Sequence, residues 1–308
     1  MVTVSLPERS WVEQLADVPG VTTVLWEMNG PPPTDDIELA VPPYMGGSEP
    51  MVWLKEAPRL RAVQLVTAGY EHGLPHLPPG VQLANGAGIH DTSTAELALT
   101  LALAALRGIP DAVRAQDRGE WLPMAGRTSL ADRSVLVVGY GSIGRTIAQR
   151  LSVFELERLT AVASRARAGD DLVDHIHGID EIADLLPSHD VVVLVTPLTD
   201  STRGLVGEKF LARMPDGALL VNVARGGVVQ TDALMRECSS GRLRAALDVT
   251  DPEPLPPGHP LWHTSGVLIS PHVGGASTAF EPRALALLRR ELTRFAAGQD
   301  LSHIVATG

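Results

Sequence analysis

The chain has 308 residues, of which 44% are hydrophobic and 20% charged, and its 25 basic and 36 acidic side chains give a formal net charge of −11. This length and apolar content favour a folded protein of two domains. They exclude a largely disordered chain, which would be rich in charge and poor in aliphatic residues. The negative charge argues against nucleic acid or an anionic membrane as a partner, because both attract clustered positive charge.

Signals for export, membrane insertion and metal binding are also missing from the sequence. The N-terminal segment has no basic start followed by an apolar stretch, so it does not resemble a secretory signal. The longest apolar run covers residues 97–106, whereas a membrane span needs about 20 residues. The single cysteine, Cys238, excludes an intramolecular disulfide and a multi-cysteine metal site. We expect a cytoplasmic protein without a metal.

The first third of the chain mixes short strand-like and helical segments. Residues 21–28 and 61–69 are strand-like, and three prolines at 31–33 separate them. A helix rich in Ala and Leu is predicted over 92–107, where Gly108 and Pro110 end it. Apolar residues occupy nearly all of its faces, which predicts a helix buried between layers or domains. A helix and then an irregular excursion with Trp121 are expected over 111–133.

From residue 134 the pattern changes to continuous apolar strands that alternate with helices. The predicted strands are 135–138, 158–164, 190–197, 217–224, 244–249 and 266–271, and an amphipathic helix follows at 282–298. This alternation is typical of a parallel sheet covered by helices on both faces. We therefore predict an α/β fold with a doubly wound parallel-sheet domain over 89–276. A smaller domain over 1–88 and 277–308 would be completed by the last helix.

A glycine motif stands between the first strand and helix of the predicted larger domain. Gly139, Gly141 and Gly144 form the pattern G-x-G-x-x-G. The first glycine permits a tight turn, the second lets the backbone approach a pyrophosphate, and the third lets the helix pack on the strand. The amides of Ser142 and Ile143 would face the anion. The motif predicts a dinucleotide-binding domain, with an ordinary glycine-rich turn as the alternative.

The end of the second strand bears on the choice between NAD and NADP. An NAD site usually carries an acidic residue about 20 residues further on, to bond the ribose hydroxyls. Here Ser164 stands there, followed by Arg165 and Arg167. A carboxylate about 4 Å from a 2′-phosphate would cost roughly 4 kcal/mol per unit charge, whereas arginine offers charge-assisted hydrogen bonds. We predict NADP(H) as the preferred cofactor, with NAD(H) as the alternative if both arginines are merely solvated.

Three further segments follow the later predicted strands, namely NVARGGVV at 222–229, LDVTDPEPL at 247–255 and SPHVGGAS at 270–277. In this order, with G-x-G-x-x-G upstream and TPLTDSTRGLVG at 196–207 between, they resemble the D-isomer-specific 2-hydroxyacid dehydrogenase family. The resemblance covers residues 61–305. It implies two Rossmann-like domains, one binding the dinucleotide and one a flavodoxin-like substrate domain. It also implies reduction of a 2-oxo acid, or oxidation of the D-hydroxy acid, with a nicotinamide cofactor.

The resemblance places the family's catalytic Arg, Glu and His on Arg225, Glu253 and His272. A guanidinium fork can hold the carboxylate and carbonyl oxygens of the substrate, and histidine exchanges protons near neutral pH. Glu253 would bond the other ring nitrogen and favour the protonated ring. Singly, each residue is explained equally well as a surface or solvated side chain, but the ordered set favours catalysis. Ala68 and Gly69 would donate their backbone amides to the substrate carboxylate.

Further positions are assigned to the cofactor by the same resemblance. They are Thr94, Thr196, Pro197, Thr202, Val223, Ala224, Asp248 and Gly274. Asp248 would face the nicotinamide amide, and Val223 and Ala224 would meet the nicotinamide side. One departure concerns the substrate loop, where Tyr70 and Glu71 follow Gly69 in place of the family's usual Gly-x-Asp. A large side chain at this position predicts an altered substrate pocket.

The substrate class follows from what the family pattern excludes. Glu253 argues against formate dehydrogenases, which have glutamine there, and the short chain with an arginine-based cofactor site favours a glyoxylate or hydroxypyruvate reductase. One alternative is a phosphoglycerate dehydrogenase-like enzyme, for which Lys55, Arg59 and Arg61 are the candidate phosphate ligands. The other is a dinucleotide-sensing binding protein of the corepressor type. The resemblance also implies a homodimer built on the Ala/Leu helix and the segment with Trp121, although burial within the chain explains those apolar residues equally well.

Overall fold

The computed structural model describes residues 1–308, which divide into two compact units. The first unit comprises Met1–His90 and Thr278–Gly308, and the second comprises Asp91–Ser277. In chain order, the elements up to the middle of the chain are β1 (Val2–Leu6), α1 (Arg9–Gln14), β2 (Val21–Leu25), β3 (Ile37–Ala40), β4 (Ala62–Gln64), β5 (Gln82–Ala84), α2 (Asp91–Arg107), α3 (Ile109–Asp117), β6 (Ser134–Val138), α4 (Ser142–Leu151) and β7 (Arg158–Ala163). The remaining elements are β8 (Arg167–Ala168), β9 (His175–Gly178), α5 (Ile182–Leu185), β10 (Val191–Leu194), α6 (Glu208–Leu211), β11 (Leu219–Asn222), α7 (Thr231–Ser239), β12 (Arg244–Leu247), β13 (Val267–Ile269), α8 (Phe280–Ala296) and β14 (Ile304–Thr307).

The sheet of the first unit has the strand order β14-β5-β4-β3-β1-β2. Strands β1 to β5 are parallel and follow the flavodoxin-like order 2-1-3-4-5, so this part of the predicted fold class is confirmed. No sequence pattern indicated β14, which pairs antiparallel with β5. Its four residues are too short to show a period, and they form a strand because the edge of β5 offers unpaired backbone groups.

Helix α8 belongs to the core of the first unit, as the amphipathic pattern predicts. Leu287, Leu288 and Leu292 are buried in the same cluster as Trp11 and Leu6. Burial of each leucine stabilises the fold by about 1.5–3 kcal/mol relative to exposure. Residues from the end of the chain therefore supply one layer of a unit whose five parallel strands come from its beginning.

The sheet of the second unit has the strand order β13-β12-β11-β10-β6-β7-β9-β8. In this order every pair of neighbouring strands from β13 to β9 is parallel. Strand β8 pairs antiparallel with β9 and forms one edge of the sheet. Every residue of β6, β10 and β11 is buried, and apart from Ser134 and Asn222 at two strand ends all of them are apolar, without alternation. The predicted doubly wound sheet is confirmed, and its strand order reverses between β6 and β10. Ligands of such sheets bind at this reversal, beyond the carboxyl ends of the strands.

Helix α2 is packed into the core of the second unit together with Val135, Val137 and Ile147, so the predicted burial of this helix is confirmed. Trp121, by contrast, is 97% exposed in the irregular segment that follows α3. Burial within the chain therefore accounts for residues 97–106 and not for Trp121. None of the helices has the length and apolar character to cross a membrane.

Strands β8 and β9 were missed by the sequence patterns, because residues 167–178 are mostly polar. They form a short hairpin at the edge of the sheet, where Arg167 pairs with Ile176 and Ala168 with His175. An edge strand needs an apolar residue only on the face that packs, and here Ile176 supplies it. Cys238 is buried in α7, and burial raises the pKa of its thiol to about 12. A thiol in this environment is a packing residue and not a nucleophile.

Candidate active site

Apart from Thr94 on α2, the predicted site residues of the second unit follow the carboxyl ends of parallel strands. Gly139 follows β6, Ser164 follows β7, Thr196 follows β10, Arg225 follows β11, Asp248 follows β12 and His272 follows β13. Because these ends lie along one edge of the sheet, the sheet collects residues that are far apart in sequence. This edge is the usual ligand site of an open α/β sheet.

The three fingerprint glycines meet different surroundings. Gly139 has a positive φ of 109°, and a Cβ there would lie 2.7 Å from the carbonyl carbon of Val195. A Cβ on Gly144 would lie 1.9 Å from the carbonyl oxygen of Gly139, so strand and helix meet there without space for a side chain. A Cβ on Gly141 would meet nothing within 4 Å. The turn is therefore closed on the protein side and open where a phosphate would approach the first amides of α4.

Ser142, the first residue of α4, donates its hydroxyl to the carboxylate of Asp91, the first residue of α2. Sequence reasoning missed this contact, because nothing in the pattern relates positions 51 residues apart. The contact uses the side chain of Ser142 and leaves its backbone amide at the helix N-terminus. The backbone amide of Ser142 can therefore donate a hydrogen bond to a phosphate while its side chain links α2 and α4.

Thr196 supplies an unpaired polar atom beside the fingerprint. Its side chain is buried and Oγ1 has no hydrogen-bond partner, while its backbone nitrogen lies 2.9 Å from the Cβ that Gly139 would carry. A buried hydroxyl without a partner is uncommon and is satisfied by a bound ligand or water. Thr202 differs, because its Oγ1 donates to the Pro197 carbonyl at 2.7 Å and accepts the Thr199 amide at 2.8 Å. Thr196 thus fits a cofactor contact, whereas Thr202 shapes the loop that carries it.

The two arginines after β7 have different environments. Ser164 and Arg165 are exposed, and Arg165 makes no hydrogen bond or ion pair. Arg167 instead donates from Nη2 to the carbonyl oxygen of Tyr140 at 2.8 Å, inside the fingerprint turn. Arg165 is therefore available for an anion, whereas Arg167 also braces the turn.

Asp170, the first carboxylate after β7, is engaged by the chain itself. Its oxygens accept the Tyr140 hydroxyl at 3.1 and 3.2 Å, and Arg145 donates from Nε at 2.9 Å while also pairing with Asp171. Burial acts to raise the pKa of Asp170, but hydrogen bonds from the Leu172 amide, Tyr140 and Arg145 lower it overall. Burial and the contact with Asp170 raise the pKa of Tyr140 to about 12. The sequence alone could not show that local donors occupy this carboxylate.

His272 and Glu253 form the closest polar pair of the site. Nδ1 of His272 lies 2.5 Å from Oε1 of Glu253, and about a third of each side chain is exposed. His272 has a positive φ of 54°, and its amide donates to the Asp248 carbonyl at 2.7 Å. Nε2 of the ring makes no hydrogen bond. One ring nitrogen is therefore held by the carboxylate while the other is available to a reacting group.

The carboxylate of Glu253 is ionised in this arrangement. Partial burial, the largest single influence, acts to raise its pKa, whereas the hydrogen bond and charge of His272 act to lower it. A backbone hydrogen bond from Thr250 and the charge of Arg225 lower the pKa further. The overall pKa of Glu253 is thus below its usual value, and the influence of Arg225 shows that all three predicted catalytic residues share one electrostatic environment.

Arg225 is positioned by its neighbours along the chain. The buried side chain of Asn222 accepts the Ala224 amide at 3.0 Å and donates to the Arg225 carbonyl at 3.2 Å. A Cβ on Gly226 would lie 1.8 Å from the Thr250 carbonyl oxygen, so only glycine lets this loop pack against the loop of Glu253. Asn222 stood in the predicted segment, but its role could not be found without the turn geometry.

Asp248 anchors the segment that carries His272. Its buried carboxylate accepts the Ser270 hydroxyl at 2.6 Å and the amides of Val273 and Gly274 at 2.9 Å each. A Cβ on Gly274 would lie 3.0 Å from Oδ2 of Asp248 and 3.4 Å from Oγ1 of Thr94, so these groups are in close contact. The resemblance pointed Asp248 toward the cofactor, whereas the contacts seen here are with the histidine segment. Val223 and Ala224 are buried at the end of β11.

The predicted substrate loop lies in the first unit. The backbone amides of Ala68 and Gly69 make no hydrogen bond. Their carbonyl oxygens accept the side chains of Asn85 at 2.8 Å and Thr67 at 2.7 Å, which fixes the loop with both amides free. Tyr70 packs against the apolar cluster of this unit. The loop can therefore offer two donors to an anion.

Comparisons with known proteins identify the family to which the chain is similar. Residues 99–274 match the family model described as D-isomer specific 2-hydroxyacid dehydrogenase, NAD binding domain. A glyoxylate reductase/hydroxypyruvate reductase of Mus musculus is 34% identical over 226 residues, covering 71% of this chain and 68% of the relative. A glyoxylate reductase of Aeropyrum pernix is 32% identical over 266 residues, covering 82% and 78%. A D-isomer specific 2-hydroxyacid dehydrogenase of Xanthobacter autotrophicus, solved with NADPH and MES, superimposes with a TM-score of 0.81 at 26% identity, covering 99% of this chain and 98% of that one.

The lowered pKa of Glu253 predicts an acid-sensitive contribution to stability. A carboxyl group whose pKa is lower in the folded state stabilises the fold above its unfolded pKa, near 4.5, and loses this effect as the pH falls through the folded value. We expect Glu253→Gln to lower the unfolding temperature at neutral pH, and this difference from the unmodified protein to shrink below pH 4.5. Glu157→Gln is the control, because Glu157 is exposed and its side chain makes no hydrogen bond. A Glu253→Gln difference that stays constant across this range would contradict the expectation.

Proposed function

The chain belongs to the D-isomer specific 2-hydroxyacid dehydrogenase family, and we propose that it is an NADP(H)-dependent reductase of a small 2-oxo acid of the glyoxylate or hydroxypyruvate type. As a member of this family it is an oxidoreductase that acts on CH–OH groups and has a domain for a nicotinamide dinucleotide. The observation that carries the proposal is the 2.5 Å contact between His272 and Glu253, next to Arg225 at the ligand edge of the sheet.

His272, Glu253 and Arg225 each have a separate role in the proposed reduction of a carbonyl group. The bound cofactor supplies the hydride to the carbonyl carbon. His272, protonated on both nitrogens, donates the Nε2 proton to the carbonyl oxygen, and the product is the D-2-hydroxy acid. Glu253 accepts the hydrogen bond from Nδ1 and so holds the ring with Nε2 available to the substrate. Arg225 binds the substrate carboxylate and offsets the negative charge that develops on the carbonyl oxygen.

The cofactor would lie along the carboxyl edge of the second sheet. The open side of the turn formed by Gly139, Gly141 and Gly144 and the amides of Ser142 and Ile143 suit the pyrophosphate. The unpaired hydroxyl of Thr196 suits a polar group of the same ligand. The nicotinamide side would be formed by Thr94, Val223, Ala224 and Gly274, while Pro197, Thr202 and Asp248 shape the surrounding loops.

The end of β7 favours a phosphorylated ribose. Arg165 is exposed without a partner, and Ser164 adds a hydroxyl donor. Asp170 is the first carboxylate after β7, and its oxygens are occupied by Tyr140 and Arg145. Such a surface attracts a 2′-phosphate and lacks a free carboxylate for the ribose hydroxyls. NADPH in the Xanthobacter autotrophicus structure agrees with this preference.

Replacement of Arg165 tests the cofactor preference. A charge-assisted hydrogen bond contributes about 1.5–3 kcal/mol, so Arg165→Ala is expected to lower kcat/KM for NADPH by roughly 10- to 100-fold. The value for NADH should change little, because NADH has no 2′-phosphate. Arg158→Ala, at the opposite end of the same strand, is the matched control and should alter neither value. If Arg165→Ala leaves the NADPH-to-NADH ratio unchanged, the proposed role of Arg165 is wrong.

The basic residues of the first unit favour a substrate without a phosphate. Arg59 forms an ion pair with Asp36 at 2.7 Å, and Arg61 pairs with Glu38 at 2.9 Å. The Arg61 guanidinium also lies 4.8 Å from the ring centre of Phe295. Two of the three candidate phosphate ligands are thus already paired within the protein. This supports glyoxylate or hydroxypyruvate over a phosphorylated 2-oxo acid.

Turnover of 2-oxo acids tests the proposed reaction. We expect the purified protein to oxidise NADPH when glyoxylate or hydroxypyruvate is added. His272→Ala should lower kcat by about 10²- to 10⁴-fold, the usual contribution of a general acid. His263→Ala is the control, because His263 is exposed outside the site and makes no hydrogen bond.

Two other outcomes of this assay would replace the proposal. Faster turnover of 3-phosphohydroxypyruvate than of the unphosphorylated acids would indicate a phosphoglycerate dehydrogenase-like enzyme. Tight NADPH binding without turnover of any 2-oxo acid above the His272→Ala level would indicate a dinucleotide-sensing binding protein.

A homodimer is proposed through α3 and the segment after it. Ile109 and Val113 lie one turn apart on α3 and are about half exposed, and Trp121 is almost fully exposed. Exposed aromatic and aliphatic side chains of this kind are typical of interface anchors. Sedimentation at micromolar concentration should show a dimer, and Trp121→Ala should weaken it by about 2 kcal/mol or more. A monomer under these conditions would refute the stable dimer.

A further inference from the structure

Strand β9 presents two histidines on one face at the edge of the second sheet. His175 and His177 are two residues apart in a strand, so their side chains project to the same side. Their ring centres are 4.7 Å apart in an edge-to-face arrangement, with His175 exposed and His177 half-buried. Ile176 between them is buried and packs on the opposite face. Packing of Ile176 therefore fixes both imidazoles toward the same exposed side.

A carboxylate is held above this histidine pair. Glu181 ends the short turn Ile179–Glu181 directly after β9. Its Oε1 accepts the Gly178 amide at 2.7 Å, and its Oε2 lies 2.8 Å from Nδ1 of His177. The Gly178 contact fixes the carboxylate independently of the histidines. Ligand atoms of His175, His177 and Glu181 all lie within 4.8 Å of one another.

We propose that His175, His177 and Glu181 bind a divalent transition-metal ion of the Zn²⁺ type. Imidazole nitrogen and carboxylate oxygen are both common zinc ligands, and a fourth position would take water. Tetrahedral zinc with bonds of about 2.0–2.1 Å places its ligand atoms roughly 3.4 Å apart. This separation lies between the 2.8 Å of the His177–Glu181 contact and the 4.8 Å limit of the group. Small torsional changes of partly exposed side chains are sufficient to reach it.

The ligand types select among cations. Mg²⁺ and Ca²⁺ take oxygen ligands, whereas two of the three groups here offer nitrogen. A His177–Glu181 ion pair alone explains the contact between those two residues. It gives no reason for the adjacent His175, which would be repelled by a protonated His177. A metal ion accounts for all three side chains, because it binds neutral imidazoles.

Metal binding would fasten β9 to the turn that follows it. The ion would link two residues of the strand to Glu181 and so stiffen the edge formed by β8 and β9. Arg167 of β8 pairs with Ile176 and contacts the fingerprint turn from the other face of this hairpin. The metal would therefore have a structural role at the outer edge of the dinucleotide domain. The site shares no residue with the proposed catalytic group and does not rest on the proposed function.

Zinc titration of the full-length protein tests the site. After removal of metal with a chelator, calorimetry with Zn²⁺ should show one ion bound per chain through these residues, and Mg²⁺ should show none. His175→Ala and His177→Ala should each weaken this binding by at least about tenfold. Glu181→Gln should weaken it as well while it keeps the acceptor for the Gly178 amide. Zn²⁺ should raise the unfolding temperature of the unmodified protein, and EDTA should reverse the change.

Two controls separate this site from other histidines. His263→Ala should bind Zn²⁺ normally, because His263 lies apart from β9. His272→Ala should also keep the bound ion, which would show that the His272–Glu253 pair is not its site. The proposal is overturned if Zn²⁺ fails to bind the unmodified protein. It is equally overturned if His175→Ala and His177→Ala both bind as the unmodified protein does, or if His272→Ala alone abolishes binding.

Discussion

The buried carboxylate of Asp248 accepts three hydrogen bonds from the segment after β13, and the placement of His272 depends on them. A buried carboxylate without donors would be costly, so the Ser270 hydroxyl and the amides of Val273 and Gly274 must stay in place. They hold His272 in a left-handed conformation that few residues adopt. The side chain that we propose as the proton donor is therefore positioned by a carboxylate that need not touch the substrate.

Close packing of backbone against backbone determines where the loop of Arg225 lies. Gly226 rests against the Thr250 carbonyl, so the loop of Arg225 and the loop of Glu253 approach as closely as two backbones can. Asn222 closes the turn that leads from β11 to Arg225. The net charge of −11 belongs to the whole chain and does not describe the electrostatic potential at the site. The positive potential is local and comes from Arg225, the N-terminus of α4 and Arg165, while Arg145 is neutralised by Asp170 and Asp171.

The sequence alone was sufficient to predict features that depend only on residues close together in the chain. A fully buried strand such as β10 is apolar throughout, and the glycine spacing of the fingerprint lies within one turn. It was insufficient to predict features that depend on contact with a residue far away in the chain. Strand β14 exists because β5 has an open edge, and the contact of Ser142 with Asp91 joins two helices that no periodicity connects. Asp248 was identified as a site residue, but its hydrogen bonds became visible only once β12 and β13 were paired.

The hairpin of β8 and β9 shows why residue types alone can mislead. Arg165 and Arg167 look equivalent in sequence, yet Arg167 braces the fingerprint through the Tyr140 carbonyl and Arg165 makes no contact. His175 and His177 are two of ten histidines in the chain, and only the alternation of a strand places them side by side. Because Ile176 must pack inward, Arg167 opposite it projects toward the fingerprint and both histidines project away. The packing of one buried isoleucine thus gives this hairpin one face toward the fingerprint turn and one face for the proposed metal.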